Sequence, residues 1–118
     1  RSGPNYNHAA VQTAAGLLEK SGSLAVVLVD CSHGNSEKKY ERQVAVAGDV
    51  AAQVSAGERA IIGVMLESNL VGGSQKYDPG KALIYGQSIT DACLGFDETI
   101  PVLEKLAEAV ANRRAKKA

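Results

Sequence analysis

The chain has 118 residues, 45% hydrophobic and 22% charged, which bounds it at about one ordinary globular domain. Thirteen basic residues balance thirteen acidic ones, so no net field draws nucleic acid or an anionic membrane, and no window approaches the ~20 apolar residues of a membrane span. Two cysteines, Cys31 and Cys93, make no disulfide framework, and a reducing, cytoplasmic setting is expected.

The opening RSGPNYN lacks a Met and reads as a loop feeding a helix, as in a piece of a longer chain; a trimmed chain would read the same. A helix follows, capped by Asn7, with Ala10, Val11, Ala14, Leu17 and Leu18 on one stripe and Gly22 as its stop. The apolar run Leu24 to Val29 is continuous rather than alternating, which predicts a parallel strand covered on both faces. A second helix is expected from Asn35 or Ser36, with Tyr40, Val44, Ala47, Ala51 and Val54 on its buried stripe and Gly57 after its end. Its solvated face carries Glu37, Lys38, Glu41 and Arg42.

AIIGVMLES, Ala60 to Ser68, predicts a second strand that breaks at Glu67. Asn69 to Gln87 is rich in Gly and reads as a long loop with a short hairpin around Asp78-Pro79-Gly80. Its adjacent glycines in VGGSQ lack a phosphate-binding pattern and suit a loop near the strand mouths. Ser88 to Gly95 is expected as a shorter strand interrupted by Asp91. The last helix is expected near Thr99, with Pro101 in its first turn. Leu103, Leu106, Ala107 and Val110 would face the core, and Arg113, Arg114, Lys116 and Lys117 would suit the negative end of the helix dipole.

Strands alternating with helices argue for βαβ units and a parallel sheet. Three such strands cannot close a barrel, and an open sheet would leave bare edges. The order therefore fits strands six to eight of an eight-stranded barrel, preceded by the helix after strand five. Residues 1–118 would then be the C-terminal portion of one catalytic barrel domain whose N-terminal part lies elsewhere.

Three predicted strands end near a residue able to bind a metal: His33, Glu67 and Asp91. In α/β barrels, catalytic side chains come from the carboxyl ends of several strands. One His and two carboxylates would make a mixed nitrogen and oxygen site for Mn²⁺, Fe²⁺, Co²⁺ or Zn²⁺. Each has a plainer alternative: His33 as a turn residue, Glu67 as a buried carboxylate held by donors, Asp91 as a loop-closing residue. Asp30 is expected to orient His33 rather than to bind metal itself. Cys31 lies two residues before His33 and could face the same way in an extended segment, but a buried thiol behaving as a small hydrophobe is favoured; Cys93 reads as core too.

Together, DCSHGNS, AIIGVMLESNL and GQSITDACLGF resemble the C-terminal part of the microbial, type I class of 3-deoxy-D-arabino-heptulosonate 7-phosphate (DAHP) synthases. The resemblance runs from Pro4 to the basic tail and keeps the order and separation of all three motifs. It implies a (β/α)₈ barrel that condenses phosphoenolpyruvate with erythrose 4-phosphate, releasing phosphate, at the first step of the shikimate pathway to the aromatic amino acids. It implies a divalent metal held by a Cys, a His, a Glu and an Asp, with His33, Glu67 and Asp91 at the last three positions. It also implies catalytic roles for His33 and Asp91, the latter near the aldehyde end, and a homo-oligomeric enzyme. The family's metal-binding cysteine belongs to an early strand outside these residues. Where this chain has Cys31, the family usually carries an aromatic residue, so Cys31 is not that ligand. Arg1 follows the position of a family arginine and is assigned no role.

Two other readings stand beside this one. The related 3-deoxy-octulosonate 8-phosphate synthase uses arabinose 5-phosphate in a similar barrel, although ESNL and SITDAC favour the heptulosonate enzyme. A non-catalytic fragment needing the remainder of the barrel is the other.

Overall fold

The computed structural model describes residues 3–116, so Arg1 and Lys117 lie outside the described residues. In chain order the elements are α1 (His8–Lys20), β1 (Val27–Asp30), α2 (Arg42–Ser55), β2 (Ile61–Met65) and α3 (Phe96–Ala115). The Asn7 side chain accepts from the Ala10 N–H and caps α1. Gly22 ends it with φ +77°: its N–H reaches the Glu19 carbonyl and that of Ser23 reaches Leu18. Gly57 closes α2 in the same way at φ +116°, through Val54 and Gln53. These left-handed caps confirm both predicted stops.

The sheet corrects the predicted one. β1 and β2 pair in parallel, with Val29 opposite Val64 and Asp30 opposite Met65, and β1 starts at Val27 rather than Leu24. The expected third strand is absent among the described residues. Ser88 to Gly95 forms only isolated bridges, Ser68 with Leu94, Gly73 with Cys93 and Ser74 with Ser88. Its backbone groups are divided among Glu67, Asn69, Gly73 and Gln75, so no continuous ladder develops. The hairpin also reduces to a turn, closed by Lys81 N–H on the Asp78 carbonyl; the Gln75 side-chain amide, rather than a strand, binds both N–H and C=O of Ile84.

α2 begins at Arg42, not at Asn35 or Ser36, because His33, Glu37 and Lys38 adopt φ of 47°, 54° and 62°. Left-handed residues cannot extend a right-handed helix. The buried face of α2 is accordingly rotated: Gln43, Val46, Ala47, Val50, Ala51 and Val54 face inward, whereas Val44 is exposed and Tyr40 precedes the helix. Glu37 and Lys38 lie in the turn, where Glu37 pairs with Arg42. α3 starts at Phe96, which moves Pro101 into the second turn. Glu98 reaches back to the Gly95 N–H at 3.0 Å, and Arg113 at the far end donates to the carbonyls of Glu58 and Ile61. Leu106 and Val110 pack at the core as expected, while Leu103 is exposed.

α2 and α3 pack on one face of the strand pair. Val11, Val29, Val50, Ala51, Val54, Ile61 and Ala109 form one cluster; Cys31, Val46, Ala47 and Val102 form the next. The other face is open: Leu28 and Ile62 are 61% and 62% exposed. The run around β1 is thus covered on one face, not two. With extents of 57 × 32 × 19 Å and a radius of gyration of 16.5 Å, the molecule is a slab, wider than the roughly 13.5 Å of a compact chain of this length. Among the described residues, no helix is long and apolar enough to cross a membrane.

Candidate metal centre

The site lies past the carboxyl ends of β1 and β2. β1 ends on Asp30, and the chain then turns sharply, so that Cys31 and His33 diverge. Cys31 is wholly buried against Val46, Ala47 and Val102, and its thiol is pushed up to about 11 by burial and then by the charge of Asp30. The imidazole of His33, at φ 47°, faces the other way, into a cavity.

Asp30 holds that imidazole. Its Oδ2 lies 2.9 Å from His33 Nδ1 while its Oδ1 accepts from the Ser32 N–H at 2.8 Å. A carboxylate only accepts, so Nδ1 carries the hydrogen and Nε2 of the neutral ring keeps its lone pair for another partner. The expected Asp30–His33 contact is therefore present. Asn35 supports it from behind, donating to the Asp30 carbonyl and accepting from Asn5 N–H.

Glu67 sits two residues beyond β2. One carboxylate oxygen, Oε2, accepts from Ser32 Oγ at 2.6 Å; the other lies 3.1 Å from His33 Nε2. Asp91 comes from the bridged loop. Cys93, two residues on, exchanges two backbone hydrogen bonds with Gly73, and Leu94 N–H donates to the Glu67 carbonyl, which ties this loop to the end of β2. Asp91 Oδ2 lies 3.9 Å from His33 Nε2.

One donor atom from each of His33, Glu67 and Asp91 lies within 4.8 Å of the others. Metal–ligand bonds of about 2.0–2.2 Å place two ligands of one ion roughly 3–4 Å apart. The His33–Glu67 and His33–Asp91 separations of 3.1 and 3.9 Å fit that spacing. The Asp91 side chain is 73% exposed and free to close the remainder. The three residues can hold a metal ion, and their mixed nitrogen and oxygen donors suit a divalent one. They line a cavity of about 230 Å³ shared with Ser32, Ser36, Lys38 and Tyr40. Three carboxylates around one imidazole raise the His33 pKa, Asp30 most strongly through its hydrogen bond and charge, then Glu67, then Asp91. Cys93, near the same acids, is raised by burial and then by Glu67.

Ser32 and Gln43 were not singled out by sequence. Ser32 carries no sequence signal. Gln43 does, since it and Gln53 are the polar residues at helical spacing with Val46 and Val50, visible only once the helix is phased from Arg42.

A model of the DAHP synthetase I family matches residues 1–104. The chain belongs to the DAHP synthetase I family. Among family relatives, the Phe-sensitive phospho-2-dehydro-3-deoxyheptonate aldolase of Escherichia coli K12 is 48% identical over 111 residues, 94% of this chain and 32% of that protein. The phospho-2-dehydro-3-deoxyheptonate aldolase of Alternaria alternata is 51% identical over 116 residues, 97% of this chain and 31% of that one. The fold agrees with the solved structure of the phospho-2-dehydro-3-deoxyheptonate aldolase from Francisella tularensis SCHU S4: TM-score 0.89, 46% identity, over 96% of this chain and 33% of that chain. The chain spans about a third of the length of the family members it matches. The expected family is thereby shown.

Proposed function

We propose that these residues form the C-terminal part, about strands six to eight with their helices, of a (β/α)₈ barrel of a metal-dependent DAHP synthase. That enzyme would condense phosphoenolpyruvate with erythrose 4-phosphate, release phosphate and open the shikimate pathway. The observation that carries the reading is the convergence of His33, Glu67 and Asp91, from three separate stretches, on one cavity at the strand ends. The family match and the open sheet face of Leu28 and Ile62, which the remainder of the barrel would cover, support it.

His33 would bind the ion through Nε2 while Asp30 fixes the ring, and Glu67 would bind through Oε1 while Ser32 holds Oε2. A bound Mn²⁺, Fe²⁺, Co²⁺ or Zn²⁺ would supply Lewis-acid polarisation at the aldehyde oxygen of erythrose 4-phosphate. Asp91, the most exposed of the three, would orient the aldehyde end. Lys38, lining the same cavity, brings a positive charge toward phosphorylated substrates. The fourth ligand, a cysteine, would come from an early strand. A homo-oligomeric cytoplasmic enzyme, without nucleic acid or membrane as partner, completes the reading.

Glu67→Ala in the complete enzyme tests it. Bound metal and turnover should both be lost, and a variant that keeps its turnover overturns the reading. Turnover with erythrose 4-phosphate should exceed that with arabinose 5-phosphate; the reverse preference would point to the octulosonate enzyme.

A further inference from the structure

We propose that Gln43 is a positioning residue for this centre, its side-chain amide fixing the backbone of Glu67 and so the aim of that carboxylate. The inference rests on the metal-centre reading above. The last backbone link between the strands is Cys31 N–H to the Met65 carbonyl, two residues before Glu67. Beyond it no β1 residue holds the chain. Gln43 takes over from α2: its Oε1 accepts from Glu67 N–H at 2.8 Å and its Nε2 donates to the Glu67 carbonyl at 3.0 Å. Leu94 N–H adds a bond of 2.9 Å to the same carbonyl.

Gln43 is fully buried, so its amide has no water to turn to, and both of its bonds go to one residue. A closed ring of two hydrogen bonds sets the Glu67 backbone in position and orientation together. Ser32 then selects the carboxylate rotamer by holding Oε2, which leaves Oε1 toward His33. Metal–ligand distances tolerate only about ±0.2 Å. A backbone released at Glu67 would exceed that at the carboxylate. An apolar side chain at position 43 would fill the same space and hold nothing.

The test uses the complete, metal-stripped enzyme. Dissociation constants for Co²⁺ or Zn²⁺ are measured by calorimetry for the wild type, Gln43→Leu, Gln43→Met and Val50→Ala, at a temperature where thermal melts show each protein folded. Val50 is buried on the same helix but in the cluster away from Cys31. The Gln43 variants should bind about 10- to 100-fold more weakly, while Val50→Ala keeps the wild-type affinity despite a lower Tm. Saturating metal should restore most of kcat in the Gln43 variants, with the half-activating concentration raised by the same factor. Wild-type affinity in whichever Gln43 variant folds overturns the proposal, as does an equal loss in Val50→Ala. A wild type that binds no ion would instead sink the metal-centre reading itself.

Discussion

Asp30 acts on His33 in two ways, turning the ring so that Nε2 faces Glu67 and favouring the protonated ring. Two opposite pH dependences result. Protonated His33 adds stability that is complete below its ordinary 6.5 and is lost as pH rises through the raised value. Metal affinity runs the other way, because the ion needs an unprotonated nitrogen, and strengthens over the same interval. Asp30→Asn removes the largest cause of the shift. His33 should then titrate closer to 6.5 in a proton NMR titration, and an unmoved titration would remove Asp30 as the cause. The two thiols offer a second check at this scale. Cys31 is buried and held well above the usual thiol range, whereas Cys93 is partly exposed. Iodoacetamide should label Cys93 in the native protein while Cys31 reacts only after unfolding; early labelling of Cys31 would mean that it does not sit in the core.

Among the elements, the helix termini carry testable stability. Asn7 satisfies the Ala10 N–H, and Asn7→Ala should cost about 1 kcal/mol, read as a lower denaturant midpoint with an unchanged slope. Gly22, at φ +77° with open space around it, would lose roughly 1 kcal/mol on replacement by Ala, through backbone strain rather than collision. Val50 joins α2 to the sheet-facing cluster, and Val50→Ala should cost roughly 2 kcal/mol in burial and cavity. The segment between β1 and α2 has a different character. Three non-glycine residues at positive φ are costly in a turn, yet this turn presents His33 and Lys38 to the cavity. Backbone strain concentrated where side chains converge is what a site-forming loop shows.

At the scale of the whole molecule, the slab shape matters most. Leu28 and Ile62 share an apolar sheet face with no covering layer among the described residues, and β1 and β2 keep free edges. As an isolated polypeptide, residues 1–118 should therefore self-associate and bind a hydrophobic dye. Sedimentation velocity checks this, and a stable monomer with no dye binding would contradict it. Leu28→Lys separates the two contexts. It should reduce association of the isolated chain yet destabilise the complete protein, where the same face would be interior.

Local chemistry was legible without tertiary structure. The capping Asn7, the left-handed stops at Gly22 and Gly57, the apolar strand cores and the polar residues that interrupt them all depend on neighbours a few positions away. The motifs around His33, Glu67 and Asp91 likewise sufficed to identify the family. What sequence pattern could not supply was anything that depends on partners distant along the chain. The apolar letters of Ser88 to Gly95 resemble a strand, but a strand exists only where a ladder forms, and here the backbone bonds divide among Glu67, Asn69, Gly73 and Gln75. The onset of α2 was misplaced because left-handed φ at Glu37 and Lys38 leaves no trace in a hydrophobic stripe, and that phase error concealed Gln43. Residue types and their order determined which groups could hold a metal. Only the tertiary structure brought them within reach of one another, because convergence of His33, Glu67 and Asp91 depends on parallel pairing of β1 with β2 and on hydrogen bonds that cross more than twenty residues of chain.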